Sequence, residues 1–106
     1  MASDTFKILA QGQLPSSIGT IYTCPAVATV IRHIAIVNAD GSNSHTAELT
    51  IQGTSGAHQI LPPITILGGG YGNWDGVMCL ANGQTISGLA DAGSVVTYTI
   101  FGDEIN

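Results

Sequence analysis

Apolar and polar positions alternate most cleanly over residues 46–52, "TAELTIQ", where Ala47, Leu49 and Ile51 fall on one side and Thr46, Glu48, Thr50 and Gln52 on the other. A period of two with one dry face predicts a half-buried β-strand. Residues 29–38, "TVIRHIAIVN", are richer in β-branched side chains and apolar on both sides. That pattern predicts a strand central to a sheet or covered on its outer face. Residues 95–101, "VVTYTIF", have the same character. No stretch carries a convincing helical period.

Turn signals break the chain at short, regular intervals: "LPSSIG", "CPA", "NADGSNS", "GTSG", "LPP", "LGGGYGN", "ANGQ" and "LADAGS". About eight strands on such spacing predict an all-β, single-domain antiparallel β-sandwich over residues 1–106, jelly-roll-like in form. Two turns read as hairpins, because Asp40-Gly41 in "ADGS" and Asn82-Gly83 in "ANGQ" tolerate positive φ. The second would pair the strand through Met78 with "QTISGL". Pro62 and Pro63 cannot both donate to a ladder, which puts them at a sheet edge or a strand entry. The chain ends read as loose.

Composition adds one unusual property. Apolar residues make up 44%, enough for a core, but charged residues only 8%, against about 25% in an ordinary soluble domain. A free monomer keeps a mixed, charged surface for solubility and to blunt its sheet edges. A neutral polar surface suits a subunit held among other subunits, or a secreted carbohydrate binder.

The net charge of -5 sets seven acidic residues against Lys7 and Arg32 alone. Two cations cannot form the basic stripe that nucleic-acid binding needs, nor hold an anionic membrane surface. The start "MASDTFKILAQGQ" has no basic segment followed by a long apolar one, so the chain is expected to be made in the cytoplasm without a secretory signal. Cys24 and Cys79 then read as free thiols packed as small apolar groups, with no zinc-type spacing.

Catalytic constellations are missing. "LGGGYGNWDG", residues 67–76, fails the G-x-G-x-x-G register at Asn73 and Asp75, lacks a following helix, and has no lysine to hold a phosphate. His33, His45 and His58 form no His-x-His pair and read as locally bonded strand or turn histidines, with His33 beside Arg32 suited to an interface. No feature brings two carboxylates across a cleft, Asp75 with Asp91 being the nearest approach. "GTSGA" places Ser55 in the wrong spacing for a nucleophile elbow. "NADGSNS" imitates a calcium loop, but with a single carboxylate, Asp40, a plain turn is the stronger reading. The expectation is a non-enzyme with no cofactor and no metal. Arg32, Tyr71 and Trp74 are the interface candidates, since Arg and aromatic side chains dominate binding hot spots. Trp74 could instead pack into its own core or across a sheet end, or with Tyr71 form a small platform for a sugar ring.

The order of the segments "GTIYTCPAVATVIRHIAIVNADGSNSHTAELTI" and "LPPITILGGGYGNWDGVMCLANGQTISGLADAGSVVTYTIFGDE" resembles a group of small tailed-phage β-sandwich virion proteins. The pattern of that group is a Tyr-Thr-x-Pro-Ala segment, a strand of the type V-x-x-I-x-V-x-N, a small-residue turn, an L-x-P strand, a Gly- and Trp-containing corner, and a G-x-x-I-x-G strand. The resemblance runs from Gly19 to Glu104. Val27 departs from it where many members have glycine, which implies a differently shaped turn. It implies a structural role in a bacteriophage virion assembled in the host cytoplasm: a capsid decoration or cement protein binding the major capsid protein, or a tail- or fibre-associated module. It further implies a homo-oligomer, with a trimer favoured, and no catalytic residues. A lectin-like module binding host-surface glycans is the alternative from a different class.

Overall fold

The structure, a computed structural model, describes residues 4–51 and 59–105. Every element is a strand: β1 (Asp4–Gln13), β2 (Gly19–Thr23), β3 (Ala28–Asn38), β4 (His45–Ile51), β5 (Gln59–Ile66), β6 (Tyr71–Ala81), β7 (Thr85–Ala90) and β8 (Val96–Ile105). They form two four-stranded sheets, A in the order β1-β8-β3-β6 and B in the order β2-β7-β4-β5. All pairings are antiparallel. Consecutive strands lie in opposite sheets except β4 and β5. This interleaving of two Greek keys is the jelly roll the turn spacing predicted.

The topology corrects both hairpins. β3 and β4 belong to different sheets, so "ADGS" carries the chain across the sandwich, and Gly41 does not take positive φ. "ANGQ" is a true tight turn, closed by Gln84 N–H on Ala81 O at 3.0 Å with Gly83 at φ +86°. It nevertheless joins β6 of sheet A to β7 of sheet B. A turn residue sets local geometry, and the apolar faces of the flanking strands decide which sheet each one enters. The pairing of β1 with β8 begins at Asp4 opposite Ile105, so regular structure reaches both limits of the described residues. Pro62 and Pro63 lie in β5, an edge strand of sheet B, as their missing N–H groups require.

The core is one cluster between the sheets. It includes Ile31, Ile34 and Ile36 from β3, Leu49 from β4, Leu80 from β6, Ile86 from β7, and Val96 and Ile100 from β8. β3 is central in sheet A, as its β-branched run implied. β4 departs from the expected single dry face, because Glu48 and Thr50 on its other side are buried as well. Cys24 is buried and Cys79 exposed, so only the first packs as a small apolar group. The "GTSG" turn with Ser55, together with Gln52 and His58, falls outside the described residues.

Three irregularities line up across sheet A. Leu9 is the extra residue of β1 against β8, Arg32 the extra residue of β3 against β8, and Gly76 and Val77 of β6 stand against the same Arg32. Each such bulge bends its strand and reverses the side-chain alternation. Along β3 the buried positions accordingly change phase, from Thr29 and Ile31 to Ile34, Ile36 and Asn38. Gly102 of β8 sits at this level, where a Cβ would run into the Val30 carbonyl and come within 3.0 Å of Leu9. Only glycine lets the two backbones approach so closely.

Candidate functional site

The outer face of sheet A is built from the side chains that alternate away from the core. Cross-strand rows set Gln13, Thr97, Val37 and Tyr71 together, then Gln11, Thr99, Ala35 and Asn73, then Ile8, Phe101, His33 and Asp75. Large apolar side chains stand open on it: Tyr71 at 77%, Val77 at 66%, Ile8 at 52% and Val37 at 42% exposure. Its charged side chains find partners on the same face. Arg32 donates to Asp103 at 3.2 Å. His33 contacts Asp75 through Nδ1, with its ring 5.7 Å from that of Phe101 and tilted by 52°. The face is thus broad and pleated and carries few charged groups.

Of the three predicted interface residues, the structure brings two to this face. Arg32 is exposed on the β3 bulge, and Tyr71 opens β6 opposite Val37. Trp74 lies opposite the buried Ile34 and packs against the core, with its indole 3.3 Å from where a Gly76 Cβ would stand. The Gly-rich corner is also shorter than its sequence suggested. It comprises residues 67–70, closed by Gly70 N–H on Leu67 O at 2.8 Å with Gly69 at φ +72°, and Trp74 lies within the strand that follows.

At one end of the sandwich four loops meet: β1–β2, β3–β4, β5–β6 and β7–β8. Asn38, fully buried, fastens two of them. Its Nδ2 donates to Asn43 O and Ile66 O at 2.9 Å and to Leu67 O at 3.3 Å, and its Oδ1 accepts from Asp40 N–H at 3.0 Å. Asp40 accepts from Ser42 N–H at 2.9 Å, Asn43 N–H at 3.2 Å and Asn43 Nδ2 at 3.2 Å, so the supposed calcium loop spends its carboxylate on its own turn. His45 stands between Asp40 and Asp91, at 3.0 and 2.7 Å. The hydrogen bond from His45, followed by those of the loop, holds the Asp40 carboxyl far below the ordinary carboxylate range, and the two carboxylates raise His45. Asp75 and Asp91 are engaged separately, by His33 and His45, and form no carboxylate pair.

Near the opposite end a polar chain crosses the sandwich. Tyr22 donates to Glu104 at 2.9 Å and shares a 3.0 Å hydrogen bond with Thr29, which in turn meets the Cys24 thiol at 3.0 Å. Lys7 reaches the other Glu104 oxygen at 2.8 Å. Burial first, and then the neighbouring Glu104, push the Tyr22 phenol up to about 12, while Lys7 lowers Glu104. Among the described residues no group of three His, Cys, Asp or Glu side chains is arranged to hold a metal ion. Asn38, His45 and Asp91 went unrecognised as a set, because their contacts join positions far apart in the chain. The signal available was local: Asp40 within "NADGSNS", a turn-capping pattern.

The two sheets define an eight-stranded jelly-roll module with an open, partly apolar outer face. A chain of the acid-stable capsid structure of Helicobacter pylori bacteriophage KHP30 is similar over 100% of this chain and 94% of its own, with a TM-score of 0.59 at 6% identity. A chain of the infectious bursal disease virus Gx strain structure is similar over 99% of this chain and 32% of its own, with a TM-score of 0.55 at 8% identity. At such identities the likeness is one of fold. No protein-family model matches the chain, and no curated protein matches it in sequence.

Proposed function

We propose that this chain is a non-enzymatic structural subunit of a bacteriophage virion, a capsid decoration or cement protein that stabilises the head by binding capsid subunits. The observation that carries this reading is the outer face of sheet A, where exposed Ile8, Val37, Tyr71 and Val77 surround the paired Arg32 and Asp103. Its open apolar area is available for burial against a partner, and the Arg32–Asp103 pairing spares the interface the larger cost of an unpaired buried charge. The likeness in fold and length to a chain of a phage capsid structure supports the same reading. Arg32 and Tyr71 are the anchors we assign to it, and a homotrimer is the assembly we favour.

A glycan-binding role on a tail or fibre would rest on an aromatic platform. Tyr71 and Trp74 face opposite sides of β6, which leaves Tyr71 as the one open ring of that pair. The experiment is co-sedimentation of the purified chain with capsids that lack it. Saturable binding that weakens in Arg32→Ala and Tyr71→Ala supports the proposal, and binding to glycans in place of capsids overturns it.

A further inference from the structure

At the four-loop end, each ring nitrogen of His45 faces a carboxylate oxygen. Nε2 lies 3.0 Å from Asp40 Oδ2 and Nδ1 lies 2.7 Å from Asp91 Oδ1. An ionised carboxylate only accepts hydrogen bonds, while a neutral imidazole has one N–H and one bare lone pair. A neutral ring therefore satisfies one of these contacts and turns a lone pair on an anion at the other. Both contacts together require the imidazolium, with an N–H at each nitrogen.

The three residues come from separate parts of the fold. Asp40 lies in the β3–β4 loop, His45 begins β4, and Asp91 begins the β7–β8 loop. Asp40 is pinned by Ser42 and Asn43, and its backbone carbonyl accepts Gly69 N–H of the β5–β6 turn at 3.0 Å. Asp91 is the more exposed carboxylate, at 44% against 24%, so its contact is the one free to let go. The other described elements around His45 bring no further charge: β5 sets Ile66 opposite it, β7 ends in Ala90, and β3 ends in Asn38. Asp40 and Asp91 are thus the titratable groups that face the ring.

We propose that Asp40, His45 and Asp91 form a proton-operated latch, which holds the Asp91 side chain at the start of the β7–β8 loop against the β3–β4 loop while His45 is charged and releases it when His45 is neutral. The far end of that loop stays bonded through Ala39 N–H to Val95 O at 2.8 Å. Asp40, which also holds the turn that carries the exposed Leu67, stays fixed, so the part that moves with pH is the Asp91 end of the β7–β8 loop. The upward displacement of His45 agrees with the geometry. A basic group raised in the folded state stabilises fully below its ordinary value of 6.5 and loses that contribution as pH rises through its folded value.

The test is NMR on the whole chain, following the His45 ring and the amide exchange of Asp91 and Gly69 from about pH 5 to about pH 8. In the wild type His45 should titrate above 6.5. The protection of the Asp91 amide, corrected for intrinsic exchange, should fall as the ring loses its proton. In Asp91→Asn the side-chain amide can donate to a neutral ring, so protection should stay level across the same range. A His45 midpoint at or below 6.5, protection that ignores the midpoint, or an Asp91→Asn profile that falls like the wild type would each overturn the latch.

Discussion

Tyr71 and Trp74 stand three residues apart in β6 and face opposite sides of it, Tyr71 across from Val37 on the open face and Trp74 across from Ile34 over the core. An odd spacing in an unbroken strand always separates side chains in this way. The two rings therefore have different roles. Trp74→Ala should cost about 2–3 kcal/mol, somewhat below the range for a fully buried tryptophan because the indole is only half-buried. Tyr71→Ala should change stability by no more than about 0.5 kcal/mol and weaken partner binding instead. Urea denaturation of both variants, paired with a binding assay, separates the two effects.

Gly102 provides a test of the aligned bulges. Adding a methyl group there meets the Val30 carbonyl, a backbone atom that cannot swing away. Gly102→Ala should destabilise by about 3 kcal/mol, the upper part of the overpacking range. Gly41 has open space around it and no positive φ, so Gly41→Ala should lie within about 0.5 kcal/mol of the wild type. Equal losses in the two variants, read from denaturation midpoints, would contradict the register described for sheet A.

Acid should destabilise the fold through its depressed carboxylates. Glu104, lowered chiefly by Lys7, and Asp40, lowered chiefly by His45, have folded values below their ordinary 4.5 and 3.8. A depressed acid contributes stability above its unfolded value and loses it as pH falls through the folded one. Tm should therefore drop as pH descends below these ordinary values. Glu104→Gln keeps an acceptor for Tyr22 while removing the charge, so its melting curve should fall less steeply with acid. An unchanged slope would remove Glu104 from the account.

How far the sequence could be read depended on how local each signal was. β3, β4 and β8 were legible because their apolar runs repeat over many residues, and the Pro62–Pro63 edge because a missing N–H has only a few possible places. β1 carries a weaker signal because its bulge at Leu9 breaks the alternation midway. The two Gly-containing turns were recognised but given the wrong partners, since a turn residue carries no information about which sheet the next strand joins. The His45 latch depends on Asp91 arriving from across the chain, and neither residue marks the other in sequence. The glycines before Trp74 resemble a longer loop in sequence, whereas the backbone resumes β structure at Tyr71.

The central claim is that this jelly roll is a subunit of a virus particle. Cryo-electron microscopy of purified virions tests it most directly, with the particle density searched for this eight-stranded sandwich. The account predicts copies on the head shell, with the outer face of sheet A against neighbouring subunits and Arg32 and Tyr71 inside the contact. Particles with no such density on the head, or copies whose sheet A face is open to solvent, would contradict it.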